Sequence, residues 1–179
     1  MKKILFVCHG NICRSPMAEF VMKDLVKKAG LVSQFHIESA ATSREEIGNP
    51  VYPPARHKLA EHGISCDGHA ARQLTNQDYD KYDLLIGMDS ANLRNIHRIC
   101  GGDFAGKLHC LMDYTDHPRD VADPWYTGDF EATCLLQLSW VISSHVQYRL
   151  TMVPLSRASV LRHTLISMFR DFSRVNKYE

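Results

Sequence analysis

The sequence predicts an α/β fold in which a four-stranded parallel sheet carries helices on both faces. Three observations lead there. Short apolar runs, the length of buried strands, recur along the chain. Segments with helical apolar spacing separate them, as parallel neighbours require. The first run also ends in a glycine-containing loop that leads straight into a proline-started helix.

Taken in order, Lys3–Cys8 is the first strand and His9–Cys13 the loop after it. Ser15-Pro16 opens a helix with Met17, Phe20, Val21, Leu25 and Val26 on its apolar face, and Gly30 stops it. His36–Ala40 is the second strand. The turn-rich Ser43–Pro54 leads to a short helix, Ala55–His62, closed by Gly63. Tyr82–Met88 is the third strand. Asp89 caps the next helix, which buries Leu93, Ile96 and Ile99 and ends at Gly101-Gly102. Lys107–Met112 is the fourth strand. No repeat or low-complexity segment interrupts this order.

The 179 residues suit one domain with a possible appendage, 45% apolar and 23% charged, an ordinary globular balance. The net charge of +1 is unevenly spread. Residues 132–179 hold six bases against two acids, or +4, which leaves −3 on residues 1–131. MKKILFVCHGN lacks the long apolar region and cleavage site of a secretory signal. No stretch reaches the ~18 uninterrupted apolar residues of a membrane span. The six scattered cysteines therefore read as reduced thiols in a cytoplasm. No paired C-x-x-C units exist, and neither His97/Cys100 nor His109/Cys110 has a second half for zinc. No metal, cofactor or nucleic-acid partner is expected, and the protein reads as a monomer or weak dimer.

The chemistry concentrates between Cys8 and Ser15. Ligands of open α/β sheets bind beyond the carboxyl ends of strands, and Cys8 ends the first strand while Arg14 starts the first helix. Gly10 is expected to take backbone angles other residues resist, turning successive N–H groups of residues 9–14 inward around an anion. The helix N-terminus and the planar fork of Arg14 would complete a phosphate cradle. The same field would lower the pKa of the Cys8 thiol and make it a nucleophile. A bare C-x5-R is a weak signal. The preceding apolar strand, Gly10-Asn11, Ser15 and the proline-started helix strengthen it.

CHGNICRSP at 8–16 closely resembles the active-site loop of the low-molecular-weight protein tyrosine phosphatases. The resemblance continues through ESAATS at 38–43, GNP at 48–50, HGI at 62–64, IGMDSANL at 86–93 and DPWYTGDFEAT at 123–133. It implies a flavodoxin-like three-layer sandwich over about residues 1–133, with phosphate bound by His9, Gly10, Asn11, Ile12, Cys13 and Arg14. It also implies metal-free, two-step hydrolysis of phosphotyrosine-containing proteins.

A thiolate that attacks phosphorus must expel an alkoxide or phenoxide, so a general acid is needed opposite it. Asp123 in VADPWY matches the family's acid, though Asp-Pro by itself is an ordinary turn. The resemblance further implies that Ser15 hydrogen-bonds the Cys8 sulfur and that Asn11 and Ser39 hold the loop in shape. His69 and Arg72 match a polar pair supporting the same region, and Cys13 matches a partner for a protective disulfide with Cys8. The rim is expected from Ile12, the Ser43–Gly48 loop, Trp125 and Tyr126. Two aromatics can sandwich a ring, favouring phosphotyrosine over the shorter phosphoserine. The family's arginine phosphatases tend to carry threonine at the Ile12 position, so isoleucine points to tyrosine. Glu45 stands where some relatives have an aromatic, and His9 replaces a leucine or small residue.

Two rivals share the loop. Thiol-dependent arsenate reductases need further cysteines to relay a disulfide outward, whereas Met88 follows the third strand here and Cys100 comes a helix later. A non-catalytic phosphate- or phosphopeptide-binding module would not need Asp123. Nucleotide hydrolysis is disfavoured because no G-x-x-x-x-G-K-[ST] exists.

After Thr133 the sequence leaves the family pattern, and no acid lies between Glu131 and Asp171. Cys134, Leu138, Val141 and Ile142 still share one helical stripe. We divide the chain into a phosphatase domain, 1–150, and a basic amphipathic extension, 151–179. The extension reads either as a helix that binds a membrane surface or a partner, or as a shifted reading frame without a selected role. The abrupt change of composition favours the second.

Overall fold

A computed structural model describes residues 1–115 and 117–142. Expectations that fall on 143–179, the membrane-binding or frame-shifted extension among them, lie outside the described residues. Four parallel strands, β1 (Lys2–Cys8), β2 (Phe35–Ala41), β3 (Leu84–Gly87) and β4 (Leu108–Cys110), line up in the order β2-β1-β3-β4. This is the flavodoxin-like arrangement. Helices α1 (Arg14–Lys28), α2 (Pro53–Glu61), α3 (Asn76–Lys81), α4 (Ser90–Cys100), α5 (Pro124–Thr127) and α6 (Phe130–Ile142) surround the sheet.

Alternation along β1 sorts the two layers. Ile4, Phe6 and Cys8 face a core shared with Met17, Val21 and Met22 of α1, Leu59 of α2 and Cys134 of α6. Leu5 and Val7 point the other way, toward Tyr79 of α3 and Ile96 of α4. A strand buried on both faces has no polar side to keep, so KILFVC reads as a continuous apolar run.

Local chemistry sets the ends of the elements. Asp89 caps α4 by accepting from Asn92 N at 2.6 Å, and Gly101 ends that helix at a φ of 77°. Prolines at 53 and 54 open α2 two residues before its expected start. Strands β3 and β4 are shorter than expected because Tyr82 caps α3 and a 3₁₀ turn takes Leu111–Tyr114. Helix α3 was not expected. Its Thr75–Asp78 capping box is legible, but six residues are too few to show a period.

Strand β1 has β2 on one side and β3 on the other, so the order in which strands are added to the sheet reverses at β1. The crevice beyond the carboxyl ends of β1 and β3 is the switch point where such sheets hold ligands. Cys8 and Asp89 both open onto it.

Candidate active site

The loop after β1 folds around the sulfur of Cys8. Ser15 Oγ lies 3.0 Å from Cys8 Sγ, and the Asn11 backbone N–H donates to the same sulfur at 3.3 Å. Asn11 is fully buried and organises the rest. Its Nδ2 donates to Ser15 Oγ at 2.9 Å and to Ser39 Oγ at 2.8 Å, and its Oδ1 accepts from Arg72 N at 3.1 Å. His69 Nε2 lies 2.8 Å from the Asn11 carbonyl. Because Ser15 Oγ already accepts from Asn11, its own proton is directed to the sulfur, with the Ala40 carbonyl a longer alternative at 3.5 Å.

Two expectations change. The left-handed residue of the loop is Asn11, at a φ of 58°, and not Gly10. Asparagine tolerates that region better than most residues, and three side-chain hydrogen bonds hold it there. A Cβ at Gly10 would lie 3.1 Å from Glu46 Cγ, a tight contact that a small shift of the Glu46 side chain would relieve. Arg72, in turn, supports the loop through its backbone amide. Its guanidinium faces away, gripping Asp78 at 3.1 and 3.2 Å.

Arg14 is buried, yet its guanidinium reaches three oxygens. Nη1 donates to Asp89 at 2.6 Å and to the Val121 carbonyl at 3.1 Å, and Nη2 donates to Asp123 at 2.5 Å. Burial alone would lower its pKa, but Cys8, Asp123 and Asp89 outweigh that and raise it. Asp123 caps α5, where Oδ1 accepts from Trp125 N at 3.0 Å. One carboxylate therefore touches both the arginine and the loop that carries the aromatics.

Cys13 is buried in the same loop as Cys8. Burial, followed by the charges of Cys8 and Asp123, pushes its thiol up to about 12. A cleft of about 220 Å³ opens over the sulfur, lined by Cys8, Ile12, Arg14, Glu46, Asp123 and Trp125, with His9, Glu45 and Tyr126 at its mouth. His9 Nε2 meets Glu45 Oε2 at 3.0 Å across the opening. Trp125 is backed by Tyr52, ring centroids 4.9 Å apart, while Tyr126 stands almost fully exposed.

Sequence reasoning missed three contributors. Glu19 lies on the buried face of α1, accepts from Ser39 Oγ at 2.5 Å and pairs with Lys23. A carboxylate among Met17, Ala18, Val21 and Met22 was the available signal. Asp89 was read only as a helix cap, although it also holds Arg14. Tyr52, from the turn-rich segment, carried no signal, since its contact with Trp125 spans 73 residues of chain.

A family model for low molecular weight phosphotyrosine protein phosphatase matches residues 3–138. The chain is 42% identical over 138 residues to the low molecular weight protein-tyrosine-phosphatase YfkJ of Bacillus subtilis, covering 76% of this chain and 88% of that protein. It is 40% identical over 140 residues to the low molecular weight phosphotyrosine protein phosphatase of Schizosaccharomyces pombe, covering 76% and 89%. Among solved structures, SP-PTP from Streptococcus pyogenes, a low molecular weight protein tyrosine phosphatase, superposes with a TM-score of 0.73 at 37% identity, over 92% of this chain and 99% of that one. The chain belongs to the low-molecular-weight phosphotyrosine protein phosphatase family.

Proposed function

We propose that the chain hydrolyses phosphotyrosine in protein substrates, and aryl phosphomonoesters generally, through a cysteinyl-phosphate on Cys8. The observation that carries this reading is the Cys8 sulfur, held by Ser15 and Asn11 at the floor of a cleft whose wall bears Asp123. The phosphate dianion seats among the backbone N–H groups of residues 9–14, and Arg14 turns its fork to two phosphate oxygens. Asp89 keeps its grip on the guanidinium when Asp123 lets go. The thiolate attacks phosphorus, the S–P bond forms, and the P–O bond breaks as Asp123 protonates the leaving oxygen. Water then attacks the cysteinyl-phosphate, Asp123 takes its proton, and inorganic phosphate leaves as the thiolate returns. The Ser15 hydroxyl stabilises the sulfur as attacker and as leaving group.

Trp125, braced by Tyr52, and Tyr126 offer flat surfaces to a phenyl ring, which favours phosphotyrosine over shorter phosphoesters. Ile12 in the cleft wall favours the same substrate over phosphoarginine. A thiol relay is less well served: Met88 is buried at the end of β3, and Cys100 sits at the opposite end of α4, its thiol pushed up to about 11 by burial. Cys13 fits a protective role, in which peroxide converts the Cys8 thiol to a sulfenic acid and Cys13 condenses with it, releasing water and forming the disulfide. No helix among the described residues is long and apolar enough to cross a membrane. A reducing, cytoplasmic setting and a monomer or weak dimer accord with this reading.

The test is turnover of p-nitrophenyl phosphate and of phosphotyrosine, phosphoserine and phosphoarginine substrates by wild type, Cys8→Ser and Asp123→Ala. Cys8→Ser should abolish turnover, and Asp123→Ala should lower it by about 10²–10⁴. Unchanged turnover in Cys8→Ser ends the proposal, and tight phosphopeptide binding without turnover by wild type favours the binding-module alternative.

A further inference from the structure

Helix α6 packs against α1 and, among its described side chains, buries two polar ones, Thr133 and Gln137. Gln137 is 1% exposed, and its Nε2 donates to the backbone carbonyl of Arg14 at 2.8 Å. Its Oε1 is buried without a hydrogen-bond partner among the described residues. Thr133 is satisfied locally, its Oγ1 donating to the Asp129 carbonyl at 3.2 Å, and Cys134 is fully buried in the core that contains Cys8, Met17 and Val21. Half-satisfied buried amides are unfavourable, and an apolar side chain of equal volume would serve packing better. Stability therefore does not account for the residue.

The contact itself does. Arg14 is the first residue of α1, so its carbonyl belongs to the turn from which the loop N–H groups and the guanidinium fork project. Asp89, Val121 and Asp123 hold the far end of the arginine. Gln137 alone, among the described side chains, donates to its backbone carbonyl. A donor from a separate helix fixes that turn against α6, and a small slip of the turn would move every phosphate ligand in the loop together.

We propose that Gln137 is a positioning residue for phosphoryl transfer, locking the Arg14 turn in register with the phosphate. The proposal rests on Arg14 gripping phosphate, as in the mechanism above. The variants are Gln137→Met, which keeps volume but loses the donor, and Gln137→His, whose ring N–H can reach the same carbonyl. The readouts are thermal midpoint, kcat and KM on p-nitrophenyl phosphate, and inhibition by inorganic phosphate. The burst of nitrophenol counts competent active sites, so kcat is expressed per working molecule even where a variant folds incompletely.

Gln137→Met should hold or raise the midpoint while kcat per active site falls about tenfold and phosphate inhibition weakens. Gln137→His should recover most of both. Wild-type kcat and phosphate inhibition in Gln137→Met would overturn the proposal. So would an activity loss that burst counting attributes wholly to unfolded molecules, or one that Gln137→His does not recover. Wild-type turnover that survives Cys8→Ser would instead sink the underlying mechanism, so the two failures are distinguishable.

Discussion

Replacing Asn11 by alanine and, separately, by glycine tests the architecture of the loop. Either change removes two donations from Nδ2 and the acceptance by Oδ1 from Arg72 N. At a net value of about 1 kcal/mol for each hydrogen bond, the loss is about 3 kcal/mol. The φ of 58° adds a second effect. Alanine suffers about 1–2 kcal/mol in the left-handed region, whereas glycine avoids that but gives the unfolded chain roughly 0.5–1 kcal/mol of extra entropy. Alanine should therefore lie about 4–5 kcal/mol below wild type and glycine about 3.5–4 kcal/mol. Total stability is typically only 5–15 kcal/mol, so this is a large fraction.

At an m-value of about 2 kcal/mol/M, the urea midpoint should fall by about 2–2.5 M for alanine and about 2 M for glycine. Tryptophan fluorescence under reducing conditions can follow unfolding, with turnover of p-nitrophenyl phosphate measured in parallel below the transition. Turnover should fall too, because Ser15 loses the donor that directs its proton toward Cys8. A variant within 0.5 kcal/mol of wild type and fully active would refute the claim that Asn11 holds the loop. A large stability loss with full activity would confine Asn11 to a structural role and refute the claim about Ser15.

Two further predictions concern pH. Because burial pushes Cys13 up to about 12, iodoacetamide between pH 7 and 9 should label Cys8 and leave Cys13 unmodified, as peptide mass spectrometry can establish; Cys13 labelling equal to Cys8 would contradict its buried placement. Burial also lowers the pKa of His62 in the folded state, against the opposing pull of Glu131. The unfolded chain then binds more protons between the folded value and about 6.5, so stability should fall as pH drops below about 6.5. His62→Gln should flatten the dependence of the unfolding midpoint between pH 6.5 and 5, above the range where the lowered carboxyls Glu38 and Glu61 protonate and withdraw their own contribution. An unchanged slope in that variant would assign the effect elsewhere.

Local interactions made much of this protein legible in its residues. Cys8, Arg14, Ser15 and the helix behind them fall within nine positions, 8–16, because an anion nest is built from consecutive backbone amides. The apolar run before it marks a strand covered on both faces, and helix ends were readable at Pro16, Asp89 and Gly101 because caps bond to neighbours in sequence. Tertiary structure decided the rest. Whether Asn11 or Gly10 turns left-handed depends on Ser39 and Arg72, which reach Asn11 only after β2 pairs with β1 and the segment behind it folds back. Glu19 could have been any helix carboxylate until Ser39 was brought against it. Asp89 does more than cap because Arg14, 75 residues away, crosses the crevice to meet it. Gln137 lies beyond the motifs altogether, and its bond to Arg14 spans 123 residues. Side chains carry their chemistry in their identity, but their partners follow from how helices and strands pack, and no local pattern encodes that.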